Sequence, residues 1–344
     1  MNFHNILINW YLQNKRDLPW RNTTNPYHIW LSEIMLQQTR VAQGMPYFYS
    51  FTKEFPTVFD LANADEEKVL KLWQGLGYYS RARNLHKTAQ HVANNLDGLF
   101  PPTYKELLKL NGVGEYTAAA IASFSYNEVV PVVDGNVFRV LSRYFDIESD
   151  ISLPATKKEF TALAQELMPK DNPAIFNQAI MEFGALQCVP RNPDCSICVF
   201  NNSCAALQKK KVAVLPVKSK KIKVTNRFFN YLVVEDVLGN TLLQKRTSKG
   251  IWHNLYEFPL LETVEIADFN FVSKAVQEEF FPSYTINSIE ECSDATLIHK
   301  LSHQHLHIQF WKIKINELIE IGVNKHDLKT FPFPIAIHNF IEKM

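Results

Sequence analysis

The feature that most constrains the fold is a lysine-rich segment, residues 209–223, which separates two stretches of different periodicity. Seven of its 15 residues are lysine, and Pro216 lies near its middle. Because like charges repel and proline interrupts a helix, we expect an extended linker, either solvated or lying along nucleic-acid phosphates. A chain of 344 residues also exceeds what one hydrophobic core usually organises. The sequence therefore predicts two domains, residues 1–208 and 224–344.

The two stretches predict different fold classes. In the first, apolar residues recur at spacings of three and four, as in residues 30–35, and prolines separate the segments, which predicts short helices. In the second, residues 228–234 are rich in β-branched and aromatic residues, and Gly239-Asn240 favours a hairpin turn. Residues 269–281 have helical spacing, and residues 301–311 predict another strand. We expect a mainly α-helical N-terminal part and an α+β C-terminal domain with a mainly antiparallel sheet.

Composition excludes several classes of protein. Charged residues make up 21% and hydrophobic residues 46%, which is ordinary for a globular protein and argues against disorder. The net charge of +1 is divided unevenly: residues 1–223 carry 25 basic and 20 acidic residues, and residues 224–344 carry 11 and 15. No apolar run approaches the ~18 residues of a membrane span, and the first residues lack a secretory signal. We therefore expect a cytoplasmic protein with reduced cysteines.

Four of the five cysteines fall within one short window and predict a metal site. Cys188, Cys195, Cys198 and Cys204 are separated by six, two and five residues. Zinc ribbons usually carry two separated C-x-x-C pairs, whereas a single loop with one such pair fits a [4Fe–4S] cluster better. Zinc remains the alternative, and we expect the cluster mainly to stabilise the fold. The fifth, Cys292, is interpreted as a buried apolar residue.

A glycine hairpin predicts a phosphate contact. Gly112 and Gly114 follow an apolar helical pattern, and a second helical pattern begins directly after them. Glycines allow a positive φ and expose backbone N–H groups, and the dipole of the following helix favours an anion. A turn of this kind is common between helices, so it is weak evidence alone.

Two carboxylates are candidates for catalysis. Asp134 ends an apolar run where a helical pattern begins, so it is either a plain N-cap or a carboxylate kept ionised by N–H donors and facing a cleft. Glu33 has nearly all apolar or uncharged neighbours. If it is buried, its pKa would be raised and it could act as an acid near neutrality. The alternative for Glu33 is an ordinary charge on a helix surface.

Together these segments resemble the MutY family of adenine DNA glycosylases, within the helix-hairpin-helix glycosylase superfamily. The resemblance extends from about residue 5 to residue 208 and continues more weakly through residues 224–344. It is carried by the four cysteines and by residues 18–21, 30–39, 75–85, 111–114 and 133–137.

The resemblance implies a fold, a cofactor and an activity. The fold would be a six-helix barrel with an iron–sulfur domain, followed by a Nudix-like domain. The activity would be excision of adenine mispaired with 8-oxoguanine or guanine from duplex DNA, with the base flipped out of the helix. The partner is thus double-stranded DNA containing an 8-oxoguanine:adenine pair, and we expect a monomer. The [4Fe–4S] cluster would be held by the four clustered cysteines.

The resemblance also implies roles for individual residues. Glu33 matches the general acid, and Asp134 matches the carboxylate that stabilises the oxocarbenium-like sugar. Tyr116 and Asn136 match residues that support the aspartate, and Arg21 matches a residue that lines the adenine pocket. Gln38 and Tyr78 match residues that enter the base stack. Ser302 and His303 match residues that inspect 8-oxoguanine.

Tyr116 distinguishes two branches of the superfamily. Endonuclease III has a lysine at this position, which attacks the sugar and cleaves the strand, and tyrosine cannot form that Schiff base. We therefore expect a monofunctional glycosylase. The alternatives are an endonuclease III-like enzyme for oxidised pyrimidines and a non-catalytic sensor of DNA damage.

The chain departs from the family pattern at three positions. Leu301 replaces the usual aromatic residue before Ser302, Asn111 replaces a common proline, and Gln178 stands where some relatives have glutamate. The second domain also lacks the full carboxylate set of a Nudix hydrolase, so we expect no diphosphate hydrolysis.

Overall fold

The computed structural model describes residues 2–219, 223–292 and 296–344, and the chain forms two compact units. The first unit comprises Met1–Asn63 and Asn84–Lys220, and the second comprises Ala64–Arg83 and Lys221–Met344. The second unit therefore contains a segment from the N-terminal half of the sequence, which the sequence-based division at residues 208 and 224 assigns to the first domain.

The first unit is mainly α-helical, as the sequence predicts, and further helices occur in the second unit. The α-helices of the chain are, in order, α1 (Phe3–Asn14), α2 (Pro26–Leu36), α3 (Val41–Glu54), α4 (Val58–Asn63), α5 (Glu66–Leu72), α6 (Ser80–Asn95), α7 (Tyr104–Leu107), α8 (Glu115–Tyr126), α9 (Gly135–Phe145), α10 (Pro154–Leu167), α11 (Pro173–Leu186), α12 (Ala205–Gln208), α13 (Phe269–Ala275) and α14 (Ile335–Ile341). Short helical turns of other types span Pro19–Arg21, Val276–Phe280 and Lys325–Thr330.

All strands of the described chain lie in the second unit. They are β1 (Thr225–Glu235), β2 (Asn240–Thr241), β3 (Gln244–Lys245), β4 (Tyr256–Glu257), β5 (Leu260–Thr263), β6 (Ile286–Glu291), β7 (Leu297–Lys300), β8 (Gln304–Ile315) and β9 (Val323–Asn324).

The core of the first unit lies where α1, α9 and α11 pack together. Aromatic side chains dominate it: the rings of Trp10 and Phe183 meet edge to face, and the rings of Phe3 and Phe200 are stacked. Phe200 belongs to the cysteine-rich segment, so this segment is anchored in the same core. Large aromatic side chains bury much apolar surface with few rotatable bonds, which favours a rigid scaffold.

The main sheet of the second unit is mixed. Its strand order is β5-β1-β8-β6, with β7 also paired to β8. The outer pairs are antiparallel as predicted, but the long central pair, β1 with β8, is parallel from Thr225↔Gln304 to Glu235↔Lys314. The expectation of a mainly antiparallel sheet thus misses the central pairing, because strands about 80 residues apart in sequence leave no local signal of their relative direction.

Two local predictions in this unit need correction. The chain does turn at Gly239 (φ 77°), but β2 pairs with β9, so the expected hairpin ladder does not form. The predicted strand 301–311 begins only at Gln304. Residues 301–303 form the turn between β7 and β8, closed by a hydrogen bond from the Leu301 N–H to the Gln304 carbonyl at 2.8 Å.

The segment Ala64–Arg83 is bonded to the C-terminal chain through side chains and backbone. Tyr79 donates its hydroxyl to the Phe333 carbonyl at 3.2 Å, and Arg83 Nη1 donates to the His253 carbonyl at 2.7 Å. Tyr256 donates its hydroxyl to Glu67 Oε1 at 2.8 Å. These contacts explain why the segment belongs to the second unit.

Over residues 209–219 the lysine-rich segment is not the extended linker that the sequence predicts. Lys209 and Lys211 form ion pairs with Asp146 at 2.7 and 3.1 Å. Leu215 is buried, and its carbonyl accepts a hydrogen bond from Arg143 Nε at 3.1 Å. Acidic partners on the first unit relieve the repulsion on which the prediction relied. Residues 220–222 lie outside the described chain.

No described helix is long and apolar enough to span a bilayer.

Candidate active site

A cavity of about 560 Å³ in the first unit brings together the five predicted residues of the catalytic pocket. Its walls come from α2, α8, α9, α11 and the turn Pro19–Arg21. Ligand pockets commonly have a volume of ~300–1,000 Å³. The five are Arg21, Glu33, Tyr116, Asp134 and Asn136.

Glu33 lies on α2. This helix begins at Pro26, and the Asn25 side chain caps its N-terminus by accepting a hydrogen bond from the Tyr27 N–H. Only 6% of Glu33 is exposed, and the residues on both sides are buried. Burial raises the pKa of Glu33 to about 7, a hydrogen bond with Tyr116 opposes this shift, and the charge of Asp134 adds to it. The raised pKa predicted from the apolar flank is therefore present, and near neutrality Glu33 exists in both the acid and the ionised form.

Asp134 is both an N-cap and a cavity residue, so the two interpretations of its position are compatible. Its Oδ1 accepts the N–H groups of Asn136 and Val137, each at 2.8 Å, and its Oδ2 accepts from Asn136 Nδ2 at 2.7 Å. Burial raises the pKa of Asp134, while these three hydrogen bonds lower it. The donors fix the carboxylate at the start of α9 and favour its charged form.

Asn136 connects Asp134 to the cysteine-rich segment. Its Oδ1 accepts from Arg139 Nη2 at 2.8 Å, and Arg139 Nε donates to the Cys188 carbonyl at 2.7 Å. The approach of α11 is close here, since a Cβ on Gly184 would lie 2.6 Å from the Asn136 Cβ. The orientation of Asn136 is therefore fixed by a cation and by packing.

Tyr116 lies partly buried in the first turn of α8. Burial raises the pKa of Tyr116 well above its usual value, and the nearby charges of Glu33 and Asp134 raise it further. The hydroxyl thus stays protonated and remains a hydrogen-bond donor facing the two carboxyl groups.

The sequence analysis did not identify Glu182, which joins two arginines at the cavity. Its buried carboxylate accepts from Arg16 Nη2 at 2.6 Å and from Arg21 Nη2 at 2.7 Å. Burial alone would raise the pKa of Glu182, but hydrogen bonds from Arg21 and Arg16 lower it to about 2. A single carboxylate between Met181 and Phe183 in an apolar helix was the signal that could have identified it.

A second pair missed by sequence is Tyr11 with Gln178, whose side chains meet although the residues are 167 positions apart. The Tyr11 hydroxyl donates to Gln178 Oε1 at 2.5 Å. Gln178 lines the cavity.

The glycine hairpin lies between α7 and α8, and its two glycines differ. Gly112 has φ +71°, and a Cβ there would lie 2.7 Å from the Asn84 Cβ. Gly114 caps α8 with φ −86°, so the expectation of a positive φ is wrong for this glycine, and a Cβ there would meet no atom within 4 Å. Gly114 instead leaves open the space in front of the N-terminus of α8.

Gln38 is exposed just after α2, with φ 56°, and is not among the residues that line the cavity.

A second cavity, of about 530 Å³, lies within the second unit and contains three more of the predicted residues. Tyr78 borders it with φ 49° and 47% exposure, and the Arg81 guanidinium lies 5.6 Å from the centre of its ring. Ser302 and His303 are exposed in the β7–β8 turn, with Ser302 Oγ 3.3 Å from His303 Nδ1. The structure therefore brings Tyr78 to the same cavity as Ser302 and His303.

The four clustered cysteines surround one small pocket. Burial raises the pKa of Cys198 to about 11, and the other three thiols are close enough to raise it further. Arg143 Nη1 donates to Cys188 Sγ, and the Phe200 N–H donates to Cys198 Sγ, each at 3.4 Å. Such donors favour thiolates. Cys292, predicted to be buried, is exposed because it follows the edge strand β6.

Comparisons with known proteins agree with this arrangement. Residues 31–170 match the model of the HhH-GPD superfamily base excision DNA repair proteins, and residues 230–343 match the NUDIX domain. The adenine DNA glycosylase of Buchnera aphidicola subsp. Schizaphis graminum is 35% identical over 308 residues, which cover 89% of this chain and 86% of that protein. The chain belongs to the adenine DNA glycosylase family. It is thus a DNA N-glycosylase of base excision repair, with a helical glycosylase region and a Nudix-like domain.

One further relative and two solved structures each match about 60% of the chain. The human adenine DNA glycosylase is 44% identical over 216 residues, covering 60% of this chain and 40% of that protein. A thermostable thymine-DNA glycosylase structure has a TM-score of 0.56 at 31% identity and covers 60% of this chain and 95% of its own. An endonuclease III–DNA complex, with a TM-score of 0.52 at 22% identity, shares the fold over 60% of this chain and 94% of its own.

Proposed function

We propose that this enzyme excises adenine paired with 8-oxoguanine, or with guanine, from duplex DNA without cleaving the strand. The observation that carries the proposal is the single cavity that contains a near-neutral acid, Glu33, and a carboxylate held by three N–H donors, Asp134. That the excised base is adenine is inferred from the relatives, which are adenine DNA glycosylases.

The chemistry follows from the two carboxyl groups. Adenine is a poor leaving group until a ring nitrogen is protonated, and protonated Glu33 supplies that proton to N7. As the N-glycosidic bond breaks, the sugar becomes an oxocarbenium-like cation, which negatively charged Asp134 stabilises. Water then adds to C1′ and gives a proton back to ionised Glu33, which leaves an abasic site. Tyr116 and Asn136 support the pair as donors to the carboxyl groups.

Access to the base requires that it leave the duplex. We assign Tyr78, an exposed aromatic residue with a left-handed backbone conformation, to the gap in the base stack. Gln38 is assigned to the same region of the DNA because of its exposure and its position after α2. Ser302 and His303 are assigned to the 8-oxoguanine edge because their hydroxyl and imidazole groups border the cavity that Tyr78 also borders.

Backbone contacts with the DNA are assigned to the hairpin. Gly112 and Gly114 leave N–H groups and the N-terminus of α8 free of side-chain obstruction, a suitable site for a phosphate. These contacts would fix the register of the duplex and carry no base specificity.

The four cysteines are proposed to hold a [4Fe–4S] cluster. Four thiols around one pocket fit the group. The spacing of the cysteines, with a single C-x-x-C pair in one loop, favours a cluster over a zinc ion. When bound, the cluster would cross-link the segment that Arg139 and Arg143 hold. An absorbance band near 400 nm in the purified protein would support it, and stoichiometric zinc would contradict it.

Single-turnover assays test the proposed activity. Duplexes carrying adenine opposite 8-oxoguanine or guanine, and duplexes carrying an oxidised pyrimidine or a G:T pair, are incubated with excess enzyme and analysed with and without alkali. We expect excision of adenine, with strand breaks only after alkali treatment, because Tyr116 cannot form a Schiff base. Excision of the pyrimidines alone, or efficient breakage without alkali, would contradict the proposal.

A further inference from the structure

We propose that Arg81 is a positioning residue that holds the segment 74–78 in the conformation in which the Tyr78 ring can enter the base stack. The inference rests on the proposed role of Tyr78 in the DNA, and it adds a residue that acts through that ring.

The backbone of this segment, between α5 and α6, adopts conformations that need support. Gly75 and Gly77 have φ values of 95° and 78°, and Tyr78 follows with φ 49°. The left-handed region is open to glycine but is disfavoured for a bulky side chain such as tyrosine. A residue persists there only where its surroundings fix it. Tyr78 is 47% exposed, so neighbouring backbone and side-chain contacts must supply much of that support.

Arg81 bonds to three successive carbonyl groups of the segment. Its Nη2 donates to the carbonyls of Leu76 and Gly77 at 3.3 and 3.1 Å, and its backbone N–H donates to the Tyr78 carbonyl at 2.8 Å. Trp73 Nε1 also donates to the Gly77 carbonyl, at 3.0 Å. Arg81 is buried, so water competes little for these bonds. The arginine thus fixes the backbone directly before and at Tyr78.

The guanidinium also contacts the ring that it positions. Its central carbon lies 5.6 Å from the centre of the Tyr78 ring and 5.1 Å from that of Trp73, which is fully buried. Burial lowers the pKa of Arg81 to about 10, so the side chain still carries its charge near neutrality. A cation over an aromatic ring is attracted by its π electrons. Trp73 therefore anchors Arg81, and Arg81 restrains the partly exposed Tyr78 ring.

The consequence for the reaction is pre-organisation. A ring that is placed in advance avoids the entropy cost of ordering the segment 74–78 when the duplex binds. The contribution of Arg81 to excision then passes through the Tyr78 ring, and removal of the ring should remove that contribution as well. A residue that merely stabilises the fold would contribute equally with and without the ring.

A double-mutant cycle tests this dependence. Single-turnover rates for adenine opposite 8-oxoguanine are measured for the wild type, Arg81→Lys, Tyr78→Ala and the double variant. Lysine retains the charge but lacks the planar fork of the guanidinium. Arg246→Lys, alone and with Tyr78→Ala, is the matched control. The Arg246 side chain is 11% exposed in the same unit, and its guanidinium likewise lies over an aromatic ring, 5.6 Å from the centre of Phe229.

A fluorescence measurement reports the entry of the ring itself. Each protein also carries Glu33→Gln, so that it binds the duplex without excising adenine, and a 2-aminopurine is placed next to the 8-oxoguanine. This base fluoresces more strongly when its stacking is interrupted. Arg81→Lys and Tyr78→Ala should each lower the increase in fluorescence on binding, whereas Arg246→Lys should leave it unchanged.

We expect Arg81→Lys to lower the excision rate about 10-fold when Tyr78 is present, the usual weight of one hydrogen bond. With Tyr78→Ala the same substitution should lower the rate by about 2-fold or less. Arg246→Lys should have the same effect in both backgrounds. Equal effects of Arg81→Lys in the two backgrounds, or an unchanged fluorescence signal, would overturn the inference.

Other failures are distinguishable from this one. Absence of adenine excision by the wild type would refute the proposed function. A wild-type excision rate in Tyr78→Ala would refute the role of Tyr78, and with it that of Arg81, while adenine excision stands. If Arg81→Lys does not fold, Gly77→Ala replaces it, since alanine disfavours φ +78° although its Cβ would meet no atom within 4 Å. An effect of Gly77→Ala that is unchanged without the Tyr78 ring would overturn the inference.

Discussion

At the scale of residues, two carboxyl groups that line the same cavity have different surroundings. Glu33 has mainly apolar surroundings and a hydrogen bond with Tyr116, whereas Asp134 receives three N–H donors at a helix start. Burial of Glu33 favours the protonated acid that the proposed reaction needs, and the N–H donors of Asp134 favour its charged form against the opposing effect of burial.

The raised pKa of Glu33 predicts the pH dependence of excision. The proton donor is the acid form of Glu33, so the single-turnover rate should fall about 10-fold per pH unit well above the pKa of about 7. Below this pKa the rate should be constant for as long as Asp134 stays ionised. Glu33→Gln should lower the rate by ~10²–10⁴-fold and retain duplex binding, measured by fluorescence anisotropy. A wild-type rate that stays constant up to pH 8.5 would contradict the assignment of the acid.

The same shift predicts a change in stability. Because the pKa of Glu33 in the folded state is raised, its stabilising contribution is complete below its unfolded pKa, near 4.5, and is lost as the pH rises through about 7. Glu33→Gln, which never ionises, should therefore increase the melting temperature relative to wild type at pH 8.5 more than at pH 5. Thermal unfolding at both pH values measures this, and an equal difference at both would argue against a buried ionisable Glu33.

At the scale of elements, the α7–α8 hairpin contains two glycines that substitution can tell apart. Gly112→Ala should lower stability by ~1–2 kcal/mol, since alanine disfavours φ +71° and its Cβ would collide with Asn84. Gly114→Ala is the matched variant, with an ordinary φ and open space around the Cβ, and should leave stability within ~0.5 kcal/mol of wild type.

Gly114→Ala should nevertheless weaken duplex binding severalfold, because its methyl group occupies the space in front of the α8 N-terminus assigned to a phosphate. Urea unfolding and salt-dependent anisotropy separate the two effects. Wild-type affinity in Gly114→Ala would remove the hairpin from the proposed DNA contact.

Elements and sites were predictable to the extent that their signals are local. Glu33 and Asp134 could be inferred from flanking residues, and the cysteines from their spacing. The Tyr11–Gln178 and Arg16–Glu182 contacts join residues more than 160 positions apart, so no local pattern reports them. The parallel direction of β1 and β8 was missed for the same reason.

At the scale of the whole molecule, the second unit is built from two separate stretches of chain. Tyr79, Arg83 and Glu67 bond to residues beyond 250, although nothing in the sequence of Ala64–Arg83 marks a boundary. Tyr78 and Ser302 therefore belong to one unit despite their distance in sequence.

Removal of residues 224–344 should consequently affect a remote part of the chain. In the truncated protein, backbone amides of residues 64–83 should exchange with deuterium at least 10-fold faster, because their partners are gone, while residues 84–95 of α6 serve as the internal control. Hydrogen exchange with mass spectrometry measures both. Equal protection of residues 64–83 in the two proteins would show that the segment is stabilised without the C-terminal chain.

The inserted segment also limits how this protein can be recombined. A chimera that exchanges only residues 224–344 for those of a relative would join a foreign surface to a native Ala64–Arg83, and Glu67 would lose its side-chain partner wherever the relative lacks a tyrosine at the position of Tyr256. An exchange of the second unit must therefore carry both stretches of chain together.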